Sequence, residues 1–323
     1  MERPIICFAP MQGYTTAVYR RAHHQVVGGI DWYYTPFIRW EKGHARDKDL
    51  RDVSRQANHR VPTVPQVIAR DRDEFAHLCD ELQKLGWKRI NLNMGCPFPP
   101  QTGAGRGSGI LPNPEKVEEI LKEMALRQEV TFSVKMRLGQ RNPEEAAQLL
   151  PMLNETKLDH IVMHPRVGRQ QYKGPRDMER FAAFYQGCQH PIIYNGDITT
   201  IADMQDILKA YPKLRGVMIG RGLLSDPTML IEGLTPQERL SRLLQIHDYF
   251  FVNAQSTLQG DSQLLSHLHA FWVYPKSLIP KKTYNDLIKC GSLRTYISAV
   301  ASLRQPPSPQ TPATAPSPKK NSN

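Results

Sequence analysis

Pro191-Ile192-Ile193-Tyr194-Asn195-Gly196-Asp197 and Gly216-Val217-Met218-Ile219-Gly220-Arg221-Gly222 share one pattern, a short apolar run that ends in glycine and polar residues. Runs without apolar–polar alternation suit strands buried on both faces of a parallel sheet. Working outward, six earlier runs complete a set of eight: Ile5–Ala9, Trp32–Phe37, Thr63–Ile68, Ile90–Asn93, Thr131–Arg137 and His160–His164. Helical patterns separate them, several with start signals. Asp71 precedes Glu74, Asn113-Pro114 precedes a glutamate-rich turn, and Asn142-Pro143 precedes Glu144 and Glu145. Eight strand–helix units predict an α/β fold, a (β/α)8 TIM barrel, over residues 1–234. A doubly wound sheet would more often have fewer strands and one glycine-rich first turn.

At Thr235-Pro236-Gln237-Glu238 a capping box with proline at the first helical position opens a new segment. Residues 235–304 read as a small all-helical C-terminal domain. Residues 305–323 hold six prolines among Ser, Thr, Ala and Lys, and are expected to be a disordered tail.

The 323-residue chain carries 42 Lys and Arg against 31 Asp and Glu, a net charge of +11. That surplus favours a polyanionic partner, because each neutralised phosphate releases counterions. It is densest in residues 235–304, with eight Lys/Arg against four Asp/Glu. Five scattered cysteines, none in a C-x-x-C pair, argue against a disulfide framework and a zinc site. No apolar run reaches the roughly 18 residues of a membrane span, and the N-terminal apolar run is too short for a signal peptide. The expectation is a cytoplasmic monomer that binds no membrane and no metal.

Barrel active sites lie at the C-terminal ends of the strands. Polar and glycine residues gather there: Ala9-Pro10-Met11-Gln12-Gly13, Gln66, Asn93-Met94-Gly95-Cys96-Pro97, Lys135, His164 with Arg166, Asn195-Gly196-Asp197 and Gly220-Arg221-Gly222. The last two clusters match the phosphate site formed after strands 7 and 8, where glycine lets backbone N–H groups approach an anion and Arg221 adds charge. Lys135, within Phe132-Ser-Val-Lys-Met-Arg137, would point into a buried barrel and needs a partner there. The N1–C2=O edge of a reduced flavin would be one. Cys96 sits where a functional thiol would, ahead of four glycines in residues 103–109 that suggest a mobile loop.

These residues together resemble the tRNA-dihydrouridine synthases. The shared stretches are Ala9-Pro-Met-Gln-Gly-Tyr-Thr15, Pro65-Gln66, Asn91-Leu-Asn-Met-Gly-Cys-Pro97, Ser133-Val-Lys-Met-Arg-Leu-Gly139, His164-Pro-Arg166, Tyr172-Lys-Gly174, Asn195-Gly-Asp-Ile198 and Met218-Ile-Gly-Arg-Gly222. The resemblance implies that NADPH reduces FMN, that hydride passes to C6 of a flipped-out uracil in tRNA, and that Cys96 protonates C5. It further implies that FMN is held by Pro10, Met11, Gln12, Gln66, Lys135, His164, Asn195, Gly196, Asp197, Gly220 and Arg221. Asn93, Arg166, Tyr172, His267, His269 and Tyr274 would face substrate RNA. Arg39 resembles an RNA-contacting arginine of the branch that modifies position 16 of the D-loop.

Three places depart from the family pattern. Thr16 stands where aspartate is common, Phe98-Pro99-Pro100 replaces a basic stretch beside the cysteine, and Ser266-His-Leu-His-Ala-Phe-Trp272 falls where Arg and Lys are favoured. Two other readings share parts of the pattern. A flavin barrel acting on a free pyrimidine, like a dihydroorotate dehydrogenase, would have no use for the basic helical domain. A non-catalytic RNA-binding protein would have no use for Cys96, Lys135 and the phosphate clusters together.

Overall fold

In the computed structural model, residues 3–305 are described. The tail expected at 305–323 lies, from residue 306 on, outside them. Each of the eight expected runs forms strand. The strands are β1 (Ile5–Phe8), β2 (Trp32–Tyr34), β3 (Ile38–Glu41), β4 (His44–Ala45), β5 (Thr63–Val64), β6 (Gln66–Ile68), β7 (Arg89–Met94), β8 (Thr131–Gly139), β9 (Ile161–Val167), β10 (Ile192–Asn195) and β11 (Gly216–Ile219).

Two of the expected runs are broken, each at a proline. Pro36 follows β2, and Pro65 separates β5 from β6. Proline has no N–H for the ladder, so the chain shifts neighbours there. Strand β2 pairs with β1 and β5, while β3 pairs with β6, and β6 with β7. Since β5 and β6 are halves of one extended segment, the parallel sheet closes into a ring through β8, β9, β10 and β11 back to β1. The β3–β4 hairpin, with Trp40 opposite Ala45, is an antiparallel addition that the sequence pattern does not reveal.

The inside of the ring is divided. Cys7, Ala9, Tyr34, Val64, Val162, Ile193 and Met218 form a small apolar cluster apart from the main core. Strands β6, β7 and β8 contribute polar groups instead. Gln66 donates to Asn91 at 2.7 Å, and Asn91 donates to Ser133 at 2.9 Å. Buried amides are tolerated here because each finds a partner.

Outside, amphipathic helices cover the strands. The Asp71 cap forms as expected, accepting from the Glu74 N–H, but Asn142-Pro143 lies one turn early and that helix runs Glu145–Glu155. Thr16 begins the helix Ala17–Val26 without a side-chain cap. Asp52 supplies the acceptor from a distance, bonding Ala17 N–H at 2.6 Å and Arg20 at 2.9 Å. A displaced carboxylate thus does the work of the missing aspartate.

Beyond Ser225 the chain is helical: Pro236–Thr257, Asp261–Phe271, Lys281–Lys289 and Leu293–Leu303. Thr235 and Glu238 make the expected reciprocal cap. Trp272 is fully buried, and its Nε1–H donates to the Tyr296 hydroxyl, which also meets His247 at 2.6 Å. Tyr19 of the barrel lies 6.3 Å from Phe271, and Tyr14 packs edge-on to Tyr274 at 4.8 Å. The helices are thereby joined to the barrel's mouth.

Candidate active site

A cavity of about 800 Å³ opens where the strands end, within the range of small-molecule sites. Residues within or following β1, β2, β7, β8, β9, β10 and β11 line it, and Tyr274 adds a wall from the helical segment. The third barrel position, β5–β6, contributes nothing to its surface.

Cys96 stands just past β7, half-buried on the cavity wall. Its backbone is held from both sides. Asn93 accepts from the N–H groups of Gly95 and Cys96 at 3.0 and 2.8 Å, and Ser108 donates through N–H and hydroxyl to the Cys96 carbonyl, both at 3.0 Å. Burial raises the thiol's pKa, opposed by the Phe98 N–H beside the sulfur and by Arg137 and Lys135. The thiol therefore keeps its proton at neutral pH. That suits an acid rather than a thiolate nucleophile.

The glycine-rich stretch after Cys96 is not the mobile loop expected. It folds into a short helix, Pro99–Gly103, and a 3-10 turn, Gly107–Ile110, packed against the cysteine. Gly107 has φ +59°, and a Cβ there would lie 2.6 Å from the Cys96 carbonyl oxygen. Its glycine serves close approach, with no need for motion. Gly107→Ala is therefore expected to destabilise the protein by about 1–3 kcal/mol, from left-handed strain plus displacement of Cys96. A thermal melt indistinguishable from wild type would contradict this.

Lys135 on β8 faces the same cavity, and no hydrogen bond or ion pair reaches its ammonium among the described residues. Burial, with Arg137 adding repulsion, pushes its pKa down to about 7. Next to it, His164 is buried and held well below its usual range by burial and by Arg137, Lys135, Arg166 and Arg221. The imidazole is neutral, its Nε2 lying 3.2 Å from Arg166. Asp197, at φ +48°, gathers Arg166 and Arg221, with Arg176 at 3.8 Å. Burial opposes its ionisation, but those guanidinium groups outweigh it and hold the carboxyl low. Three guanidinium groups thus surround one carboxylate, and Lys135 and Arg137 add positive charge on the cavity wall, a surplus that suits an anion.

Most of the expected site residues meet here. Pro10, Met11, Gln12, Asn93, Cys96, Lys135, His164, Tyr172, Asn195, Gly196, Asp197, Gly220, Arg221 and Tyr274 all line the cavity. Five others do not. Gln66 is fully buried behind the wall, where it accepts from Asn93 at 2.7 Å and so orients the residue that holds Cys96. Arg166 is buried and donates to the Gly174 carbonyl and Asp197, tying down the loop that carries Tyr172. Arg39 lies outside the cavity, paired with Glu41 and Asp49. His267 stacks on Phe250 at 4.4 Å, with a pKa lowered by burial and Lys48. His269 meets the Cys290 sulfur at 3.2 Å, far down the helical segment from the mouth.

The sequence reading missed Arg137, Phe37, Tyr14 and Phe98, all on the cavity wall. Arg137 is buried, donates to the Gly95 and Val167 carbonyls, and sits 5.6 Å from the Tyr172 ring. Burial lowers its pKa to about 10. Period-two spacing from Lys135 could have found it, since residues i and i+2 share a strand face.

A family model described as dihydrouridine synthase matches residues 7–276. The chain belongs to the dihydrouridine synthase family. The match spans the barrel and reaches the helical segment as far as the Tyr274 wall. Among curated relatives, the tRNA-dihydrouridine(16) synthase of Pseudomonas putida is 31% identical over 233 residues, covering 69% of this chain and 71% of that one. The probable tRNA-dihydrouridine synthase 2 of Bacillus subtilis is 27% identical over 260 residues, covering 76% of this chain and 78% of its own. Among solved structures, a morphinone reductase variant overlaps with a TM-score of 0.51 at 11% identity, covering 70% of this chain and 85% of that one. At that identity the likeness concerns the barrel alone.

Proposed function

We propose that this protein is a tRNA-dihydrouridine synthase that reduces uridine in the D-loop with FMN and NADPH. The observation that carries the reading is the convergence of the Cys96 thiol and the unpartnered Lys135 ammonium on one cavity. Residues fit a flavin there: an unpaired cation for its N1–C2=O edge, a neutral His164 beside it, and the glycine loops with Arg221 for its phosphate. Held by these residues and reduced by NADPH, FMN would supply a hydride for C6 of uracil. Asn93 fixes the backbone of Cys96, and Cys96 delivers its proton to C5, so the C5=C6 bond gains two hydrogens. Lys135 and Arg137 then stand next to the thiolate left behind and favour it until a proton returns. Tyr172 and Tyr274 wall the mouth through which a flipped-out base would enter.

The curated relatives named for position 16 support that uridine as the target. On this reading residues 235–304 form the tRNA-binding unit. Lys276, Lys281, Lys282, Lys289 and Arg294 are exposed there and free of ion pairs among the described residues. Arg239 and Arg304 are committed to Asp226 and Asp248. His267 and His269, held in internal contacts, take no part in phosphate binding.

The direct test incubates the flavin-loaded protein and NADPH with unmodified tRNA and maps dihydrouridine by mass spectrometry. No gain of two hydrogens at any D-loop uridine would refute the activity. Phosphate-led binding also predicts that tRNA affinity falls more than about tenfold between 50 and 200 mM salt. A flat response in a binding titration would exclude it.

A further inference from the structure

Phe98 is the largest exposed apolar side chain at the cavity mouth, 56% accessible, and it lies two residues after Cys96. A phenyl ring left in water this close to a reacting thiol is unfavourable unless something covers it. Its backbone is rigid. Pro99 and Pro100 fix the first helical turn, and the Phe98 carbonyl accepts from the N–H groups of Gln101 and Thr102 at 2.9 and 3.0 Å. Tyr172 lines the same cavity, 45% exposed and braced by Arg221 at 4.4 Å from its ring. No lysine or arginine occurs from Cys96 to Gly105, and Arg106 is buried against Glu74. The segment from Cys96 to Gly105 therefore offers a nucleic acid a flat apolar face and no basic side chain.

We propose that Phe98 is a stacking platform for an unpaired nucleobase adjoining the target uridine, at a cavity that Tyr172 also lines. The proposal rests on the reading of the cavity as a uridine-reducing site. Every base has a π-face, so the contact grips the loop without reading its sequence or touching phosphate.

The test compares full-length Phe98→Ala, Phe98→Leu and Phe98→Trp with wild type, using unmodified tRNA transcript as substrate. Flavin content verifies folding in each. Loss of one base stack should raise KM and the tRNA Kd by about 5–150-fold in Phe98→Ala, with kcat little changed. Phe98→Leu, apolar but not flat, should behave like Phe98→Ala, and Phe98→Trp should keep wild-type affinity. The slope of log affinity against log salt should stay at its wild-type value, because no phosphate contact is removed. Wild-type KM in Phe98→Ala or Phe98→Leu, a shallower salt slope, or loss of flavin from these variants would each overturn the stacking role. If wild type itself forms no dihydrouridine, the uridine-reducing reading fails, and the stacking proposal fails with it.

Discussion

Replacing Cys96 by alanine is expected to reduce dihydrouridine formation on tRNA by about 10²–10⁴-fold while leaving the protein folded and yellow. The fold should survive because the cysteine is held by its backbone: Asn93 and Ser108 bond its N–H and carbonyl, which alanine retains. Flavin retention should survive because the cation and glycine loops proposed to hold it lie on β8, β10 and β11. What is lost is the only thiol on the cavity wall, whose burial keeps it protonated at neutral pH. A single-turnover measurement on pre-reduced protein isolates the step. Wild-type rates from the alanine variant would remove Cys96 from the mechanism.

Lys135→Met is expected to act with opposite signs on the empty protein and on its flavin complex. In the empty protein the ammonium is pushed to about pKa 7 from an ordinary 10.5. Between those values the unfolded chain binds the extra proton, so stability rises with pH over that window and burial of the charge is most unfavourable below it. Methionine removes that penalty, so the flavin-free variant should melt higher than wild type at pH 6. Flavin affinity should fall by about 10–150-fold, the worth of one hydrogen bond to a charged group. The same shift predicts that wild type takes up close to one proton at pH 8 on binding reduced FMN, because its anionic N1–C2=O edge restores the ammonium. Calorimetry in buffers of different ionisation enthalpy reads that proton directly. Unchanged flavin affinity in the variant, with no buffer dependence in wild type, would separate Lys135 from the flavin.

The departures between sequence and structure share a cause. Gln66 and Arg166 belong to the family-like stretches, yet neither lines the cavity and each holds residues that do, Gln66 through Asn93 and Arg166 through Asp197. A motif records that a residue type recurs; it does not record which side of a wall the side chain takes. The glycines at 103–109 were read for freedom, whereas a Cβ at Gly107 or Gly109 would collide with the backbone of Cys96 or Thr102. Arg137 went unnoticed because an arginine at a strand end reads as solvated.

By itself the sequence determined the number of strand–helix units, the rim on which polar residues gather, the start of the helical segment at Thr235, and Cys96 and Lys135 as candidates that meet on one cavity. Those features are local: apolar periodicity, caps and strand ends are set by residues a few positions apart. Only the tertiary structure decided which polar side chains reach the cavity, how Asp52 replaces a missing cap, where Pro36 and Pro65 hand the chain to new neighbours, and that Phe98 stands bare at the mouth. Those outcomes depend on groups brought together from distant positions, and burial and charge at such a junction are properties of the assembled wall.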